Sequence, residues 1–320
     1  MIELMRPKTV ISVGDLVADL IVAIPRLPVE PDVHQLAHQF RLEPGGAGNF
    51  LIAGTRLGMD MLALGTIGDD PFGGAAMEIL IDEGVDTSGV IQQSGTGSTT
   101  VVVLVDDDGQ HVFLGGYGDG PVINLPEIWK DKLIESQALF ASGYTLQEKR
   151  LAGAALEIMS LAHRSGIPVF FDPGPEMLNT TSVQLASVLA SSEVILLTED
   201  EIPLMTGGEV GVDAAADLLG KGPQMVCIKR GSRGCVILTV GDSVEHAGYQ
   251  VTVRDTTAAG DSFAAAFIYA YLSHWNLDKI AAFSNAMGAA KVRKVGSGRQ
   301  VPTADEVRSI LQTYDVKIDY

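Results

Sequence analysis

Short apolar runs that end in Gly or Asp, and alternate with helical patterns, constrain this chain more than any other feature. Thr9–Val13 ends at Gly14-Asp15, residues 61–67 at Gly68-Asp69-Asp70, and residues 138–141 at Ser142-Gly143. Residues 168–171 end at Asp172-Pro173-Gly174-Pro175, 194–197 at Thr198-Glu199-Asp200-Glu201, and Met225–Lys229 at Arg230-Gly231. Residues 72–83, 151–164 and 213–219 between them read as helices, with Gly166 and Gly220 as helix stops. Runs this continuous suit strands buried on both faces. The pattern therefore predicts an α/β chain: a three-layer, mostly parallel sheet with helices on both faces. In such sheets ligands bind beyond the carboxyl ends of the strands, where the polar residues just named stand.

One region departs from the alternation. Residues 99–105, the turn Asp106-Asp107-Asp108-Gly109 and residues 110–114 read as a β-hairpin with an Asp-Gly turn. Residues 16–42 are also strand-like and carry Pro25, Pro28 and Pro31. Together they predict a small β lid, residues 15–44 and 99–118, inserted into a core made of 1–14, 45–98 and 119–320. A length of 320 residues with 46% hydrophobic and 19% charged residues is ample for such a core.

The net charge of −18 gives the chain no electrostatic reason to hold nucleic acid or an anionic membrane surface. A polyanion site must therefore be built locally, from backbone N–H groups, a metal ion and a few placed cations. No apolar run approaches the roughly 18–20 residues needed to cross a bilayer. The stretch Met1 to Val10 reads as a first strand and not as a signal peptide, so the expected location is cytoplasmic. The two cysteines, Cys227 and Cys235, flank a Gly-rich hairpin where pairing is geometrically feasible, but their apolar settings predict buried thiols.

The stretch that carries most chemistry is Asp255-Thr256-Thr257-Ala258-Ala259-Gly260-Asp261, followed by a helical run, 262–272, apolar nearly all round. Such a helix should be buried. Ala258, Ala259 and Gly260 at its start expose free N–H groups and the positive end of the helix dipole, which favour an anion. Asp261 stands at the same place. A carboxylate beside an anion hole is what phosphoryl transfer to a hydroxyl requires: the carboxylate takes the proton, and the N–H groups hold the charge of the moving phosphoryl. On composition alone, Asp255 or Asp261 could equally be a helix cap.

The sequence of 255–263 resembles the C-terminal signature of the ribokinase-like (PfkB) carbohydrate kinase family. Gly45-Gly46-Ala47-Gly48-Asn49, with Gly58 and Gly65 behind it, resembles the family's other signature, about 210 residues earlier and in the family's order. The resemblance implies an ATP-dependent kinase acting on a hydroxyl of a sugar or sugar-like molecule, with Asp261 as base and residues 258–260 as the anion hole. It implies acceptor contacts from Asp15 and Asp19, of which Asp19 is the better match, and from Gly45, Gly46 and Asn49. It assigns Glu201 to magnesium, through water, in an element that has Thr198 where the family has Asn. Lys229, Gly231, Ser232, Gly234 and Asn285 fall at nucleotide-side positions. Asp255 and Thr257 match positions that hold a potassium-like ion in many relatives, and Gln300 stands where those relatives often carry a small residue. Many relatives pair through their lids, which implies a homodimer. ATP, Mg2+ and K+ are thus the implied cofactors.

Several other patterns lack the required chemistry. Gly220-Lys221 is followed by Gly222, so no P-loop is present, and Gly116-x-Gly118-x-Gly120 lacks dinucleotide spacing. The remaining readings are a nucleoside kinase of the same family and a non-catalytic ligand-binding regulator. The Asp261 and Glu201 carboxylates argue against the regulator.

Overall fold

In a computed structural model the apolar runs become strands of two sheets. The structure describes residues 8–318 and 320, so the reading of Met1 to Val10 lies, for residues 1–7, outside the described residues. The strands are β1 (Thr9–Val13), β2 (Leu16–Ala23), β3 (Gln39–Gly46), β4 (Asp60–Gly68), β5 (Asp86–Gln93), β6 (Thr100–Val105) and β7 (His111–Gly116). There follow β8 (Ala138–Ser142), β9 (Val169–Asp172), β10 (Val194–Thr198), β11 (Met225–Lys229), β12 (Cys235–Thr239) and β13 (Asp242–His246). The large sheet has the order β13-β12-β11-β10-β9-β8-β1-β4-β5. Every pairing from β11 to β5 is parallel, and β12 and β13 add an antiparallel edge.

Helices cover both faces, which explains why the central strands are apolar at successive positions. In β10, Val194, Ile195, Leu196 and Leu197 are all fully buried. Alternate residues feed two separate cores. Val10 and Leu196 join Phe50, Phe267 and Phe283 on one side; Ile11 and Leu197 join Trp129, Ile158 and Leu218 on the other. Truncating one such side chain to Ala costs about 2–5 kcal/mol.

The second sheet has four strands in the order β3-β2-β6-β7. β2 pairs antiparallel with β3 and parallel with β6, and β6 and β7 form the hairpin, with Gly109 at φ 79° in its turn. The strand-like reading of 16–42 resolves into β2 and β3 only. Residues 24–38, with their three prolines, form no strand between them, because Pro withholds a ladder donor.

The helix stop foreseen at Gly220 falls two residues later. Helix Gly211–Ala216 continues as a 3-10 turn, Asp217–Lys221, straight through Gly220. The positive φ of 140° belongs to Gly222, where a Cβ would lie 2.2 Å from the Leu189 carbonyl. Close approach to a neighbouring helix sets the stop there. Cys227 and Cys235 are buried free thiols; the β11–β12 register places Ile237 opposite Cys227 and Lys229 opposite Cys235, so they are not cross-strand partners.

Candidate active site

Carboxyl ends of the parallel strands converge on one cleft. β9 ends in Asp172, β10 in Thr198 and β11 in Lys229. The helix Ala259–Leu272 points its first turn at them. Its cap, Ala258, has φ 60° and ψ 12°, a left-handed conformation that costs a non-glycine residue roughly 1–2 kcal/mol. That turn carries the chain from Thr257 into a helix whose first N–H groups have no intrahelical acceptor. Gly260 leaves the approach open: the nearest atom to a Cβ placed there is the Lys229 Nζ, 3.6 Å away.

Asp261 lies in the same turn. Its Oδ2 accepts a 3.0 Å hydrogen bond from the Asn49 amide, and the Asn49 Oδ1 accepts the Gly298 N–H at 2.7 Å. Asn49 is thus held from both sides, with its amide nitrogen, the donor side, facing Asp261. Burial raises the Asp261 carboxyl to about 7; Asp172 and Asp19 add repulsion, while Asn49 and Lys229 work against the rise. A carboxylate that titrates near neutrality suits proton transfer from a hydroxyl.

Asp19, on β2, is buried and accepts from the Ser297 hydroxyl at 2.8 Å. Burial, with Glu43 nearby, raises it to about 6. Gly45 lies beside it, and a Cβ at that position would sit 2.2 Å from the Asp19 Oδ1, so only glycine fits. Gly46, at φ 50°, is the cap of the helix Ala47–Arg56 that carries Asn49. Asp15 is placed differently. Its Oδ1 accepts from Thr66, and its Oδ2 from Thr99 and, at 3.1 Å, from Arg150, which also binds Glu148. This buried network ties β1 to the small sheet and occupies much of the Asp15 carboxylate. Burial still raises Asp15 to about 6, Thr99 and Arg150 opposing it.

Beyond the anion hole lies a cleft of about 280 Å³. Lys229, Gly231, Ser232, Gly234, Gly260 and Asn285 all line it, and Tyr249, Val251, Val253, Phe263 and Val292 supply apolar wall suited to a flat base. Gly231, at φ 56°, leaves open space on its side-chain face, whereas a Cβ on Gly234 would strike the His246 carbonyl at 1.9 Å. The Asn285 amide is 3.0 Å from the His246 Nδ1 and 3.4 Å from the His246 carbonyl, so it is oriented by the β13 end.

Lys229 pairs with Asp172 at 2.5 Å. Burial opposes its charge, but Asp172 and Glu201 outweigh that and hold the ammonium above its usual range. Glu201 follows β10 in a 3-10 turn, and its Oε2 accepts the Thr198 N–H at 2.7 Å. Burial raises its carboxyl, with Lys229 pulling it down and Asp172 pushing it up. Two oxygen donors, Glu201 and Asp172, beside a phosphate cleft fit a hard divalent cation that keeps most of its waters; no cluster of three or more metal-ligating side chains occurs among the described residues. Asp255 is committed instead to backbone: its Oδ1 accepts the Thr257 N–H at 2.8 Å and its Oδ2 the Gly296 N–H at 2.6 Å. These bonds hold its carboxyl below the usual range despite burial, with help from Lys291.

Sequence reasoning did not single out Asp172, Ser297, Gly298 or Lys291. The strand end at Asp172 was visible as Asp-Pro-Gly-Pro, but nothing local says that its partner is a lysine 57 residues on. Lys291 had a signal: a cation that closes an otherwise apolar stretch, Ala286-Met287-Gly288-Ala289-Ala290-Lys291-Val292.

Residues 7–304 match the profile of the pfkB family carbohydrate kinases. An ATP-dependent ribose-1-phosphate kinase of Halopiger xanaduensis is 30% identical over 305 residues, covering 94% of this chain and 97% of that protein. The Mus musculus ribokinase is 30% identical over 304 residues, covering 92% of this chain and 91% of that protein. Among solved structures, Arabidopsis thaliana ribokinase complexed with ribose and ATP superposes with a TM-score of 0.81 at 23% identity, over 96% of this chain and 99% of that one. A candidate ribokinase II from E. coli in complex with ATP and Mg2+ superposes at 0.82 and 22% identity, over 96% and 99%.

Proposed function

This chain belongs to the pfkB family of carbohydrate kinases, and on that premise we propose that it transfers the γ-phosphoryl group of ATP to a hydroxyl of a sugar or sugar-like molecule, with Asp261 as the base. The observation that carries the reading is the Asp261 carboxylate, tuned to about 7, in the first turn of a helix whose open N-terminus faces Lys229.

In this mechanism the acceptor hydroxyl gives its proton to Asp261 as its oxygen forms the new bond to phosphorus, and the bond from phosphorus to the ADP oxygen breaks. Asn49 keeps Asp261 aimed. Of the 258–260 turn, Ala259 donates its N–H to the Thr256 carbonyl at 3.1 Å, so the Gly260 N–H, with that of Asp261 and the Lys229 ammonium, holds the charge of the moving phosphoryl. Asp19 accepts hydrogen bonds from acceptor hydroxyls, as a carboxylate can do for two at once. The cleft between Gly231 and Val253 holds the nucleotide, with Asn285 at its edge. Magnesium, when bound, neutralises phosphate charge, and Glu201 and Asp172 are the residues that would hold it.

The small sheet acts as a lid over the acceptor. Its own residue Asp19 binds the acceptor while Asn49 and Asp261 do so from the core, so the acceptor draws the two together and excludes water from ATP. The glycines at 14, 45, 46 and 115–120 provide the hinges. We also propose that two copies pair through this sheet. Phe40, Val112, Phe113 and Leu114 are 66%, 40%, 51% and 58% exposed, and β7 is an open edge, a liability in a monomer. No helix among the described residues is long and apolar enough to cross a membrane. The test of function is ADP release against a panel of sugars, sugar phosphates and nucleosides. One acceptor class should raise release well above the rate with ATP alone; no acceptor doing so would refute the kinase reading.

A further inference from the structure

Lys291 is the charge in this molecule hardest to account for by packing. It sits in the last turn of the helix Leu277–Lys291 and is 0% exposed. Its ammonium has three donors, yet its one side-chain hydrogen bond is to the Lys294 carbonyl, at 3.2 Å. It forms no ion pair within 4.0 Å among the described residues. Burying an ammonium with so little direct compensation is expensive, and an apolar residue of that length would pack there at lower cost.

The ammonium lies where the site's supporting turns meet. The Lys294 carbonyl belongs to the turn after the helix. The start of that turn, the Val292 carbonyl, accepts the N–H groups of Arg254 at 2.7 Å and Asp255 at 3.2 Å. Farther along, Gly296 N–H binds Asp255, Ser297 binds Asp19, and Gly298 N–H binds Asn49. One side of this assembly thus leads through Asp255 and Thr257 into the anion hole; the other supports the acceptor residues. A positive charge beneath it draws the Asp255 carboxylate and the turn's carbonyls together. Burial lowers the Lys291 ammonium to about 8; Asp255 and Asp261 oppose that fall electrostatically, and Lys294 adds to it.

Each Asp255 oxygen already accepts one backbone N–H group, and Asp255 interacts favourably with the Lys291 charge, so a second cation beside Asp255 would be repelled by Lys291. Resting on the kinase reading above, we infer that the Lys291 ammonium is a tethered substitute for a monovalent cation: a positioning residue that organises the 255–260 loop, so that the chain works without potassium.

The experiment compares potassium chloride with tetramethylammonium chloride, a cation too large for any such site. Two readouts are taken: ADP release with the active acceptor, and the thermal shift produced by MgADP. Wild type should give the same values in both salts. Lys291→Ala in tetramethylammonium should lose about tenfold in turnover or nucleotide affinity, and potassium or ethylammonium should restore it. Lys291→Met, which fills the space, should show the loss without the rescue. Activation of wild type by potassium, a Lys291→Ala variant unimpaired in tetramethylammonium, or a loss that neither cation relieves would each overturn the inference. If Lys291→Ala does not fold, the wild-type comparison decides alone. If no acceptor is turned over, the kinase reading fails, while the MgADP thermal shift still tests Lys291.

Discussion

Replacing Asp261 with Asn should make the protein inactive and, at neutral to alkaline pH, more stable. The substitution keeps size and keeps an oxygen to accept the Asn49 amide. It removes the base, which should lower kcat by roughly 10²–10⁴-fold. It also removes a charge that the folded site disfavours. The folded carboxyl titrates near about 7 against an ordinary 3.8, so protons bind the folded state more tightly. Below the unfolded value both states are protonated, and wild type and variant should match. As pH rises through the folded value, wild type loses that advantage, up to about 4 kcal/mol at roughly 1.4 kcal/mol per unit. The cleft is open to water, so the measured figure should be smaller. Urea unfolding at pH 5 and pH 8 reads the difference, alongside kcat. The variant's gain should be clearly larger at pH 8. A gain independent of pH, or turnover near wild type, would refute this reasoning. The same titration predicts that wild-type kcat/KM rises with pH through about 7.

Asp19→Ala should raise the KM for the acceptor far more than that for ATP; equal changes in both would leave Asp19 a structural charge bound to Ser297. Glu201→Gln should shift the magnesium titration of activity to higher concentration, and an unchanged titration would remove it from the metal site. Light scattering at micromolar concentration should report a dimer, which Phe113→Glu on the exposed face of β7 should dissociate; a monomeric wild type would rule out pairing through the small sheet.

Much of the fold was legible because the central strands carry apolar residues at successive positions, as burial on both faces requires. The strand ends were legible for the same reason: apolar runs stop where polar groups face the cleft. Asp261 and Gly260 could be read because helix-start chemistry is local in sequence. What could not be read was long-range. Asp172 meets Lys229, Ser297 meets Asp19 and Gly298 meets Asn49 across 57, 278 and 249 residues, and no spacing rule encodes such meetings. Gly45 was legible as part of a glycine-rich signature, but its need for room beside Asp19 was not. Asp15 shows the converse: its position at a strand end suggested an acceptor contact, and Arg150, distant in sequence, is its ion-pair partner.

The most direct test of the central claim follows both products of one reaction. Wild type, MgATP and the acceptor identified by the panel are incubated, and mass spectrometry quantifies ADP and phosphorylated acceptor. The transfer mechanism predicts one phosphoryl group gained per ADP formed, with Asp261→Asn forming neither at an appreciable rate. ADP accompanied by free phosphate and an unchanged acceptor would contradict it.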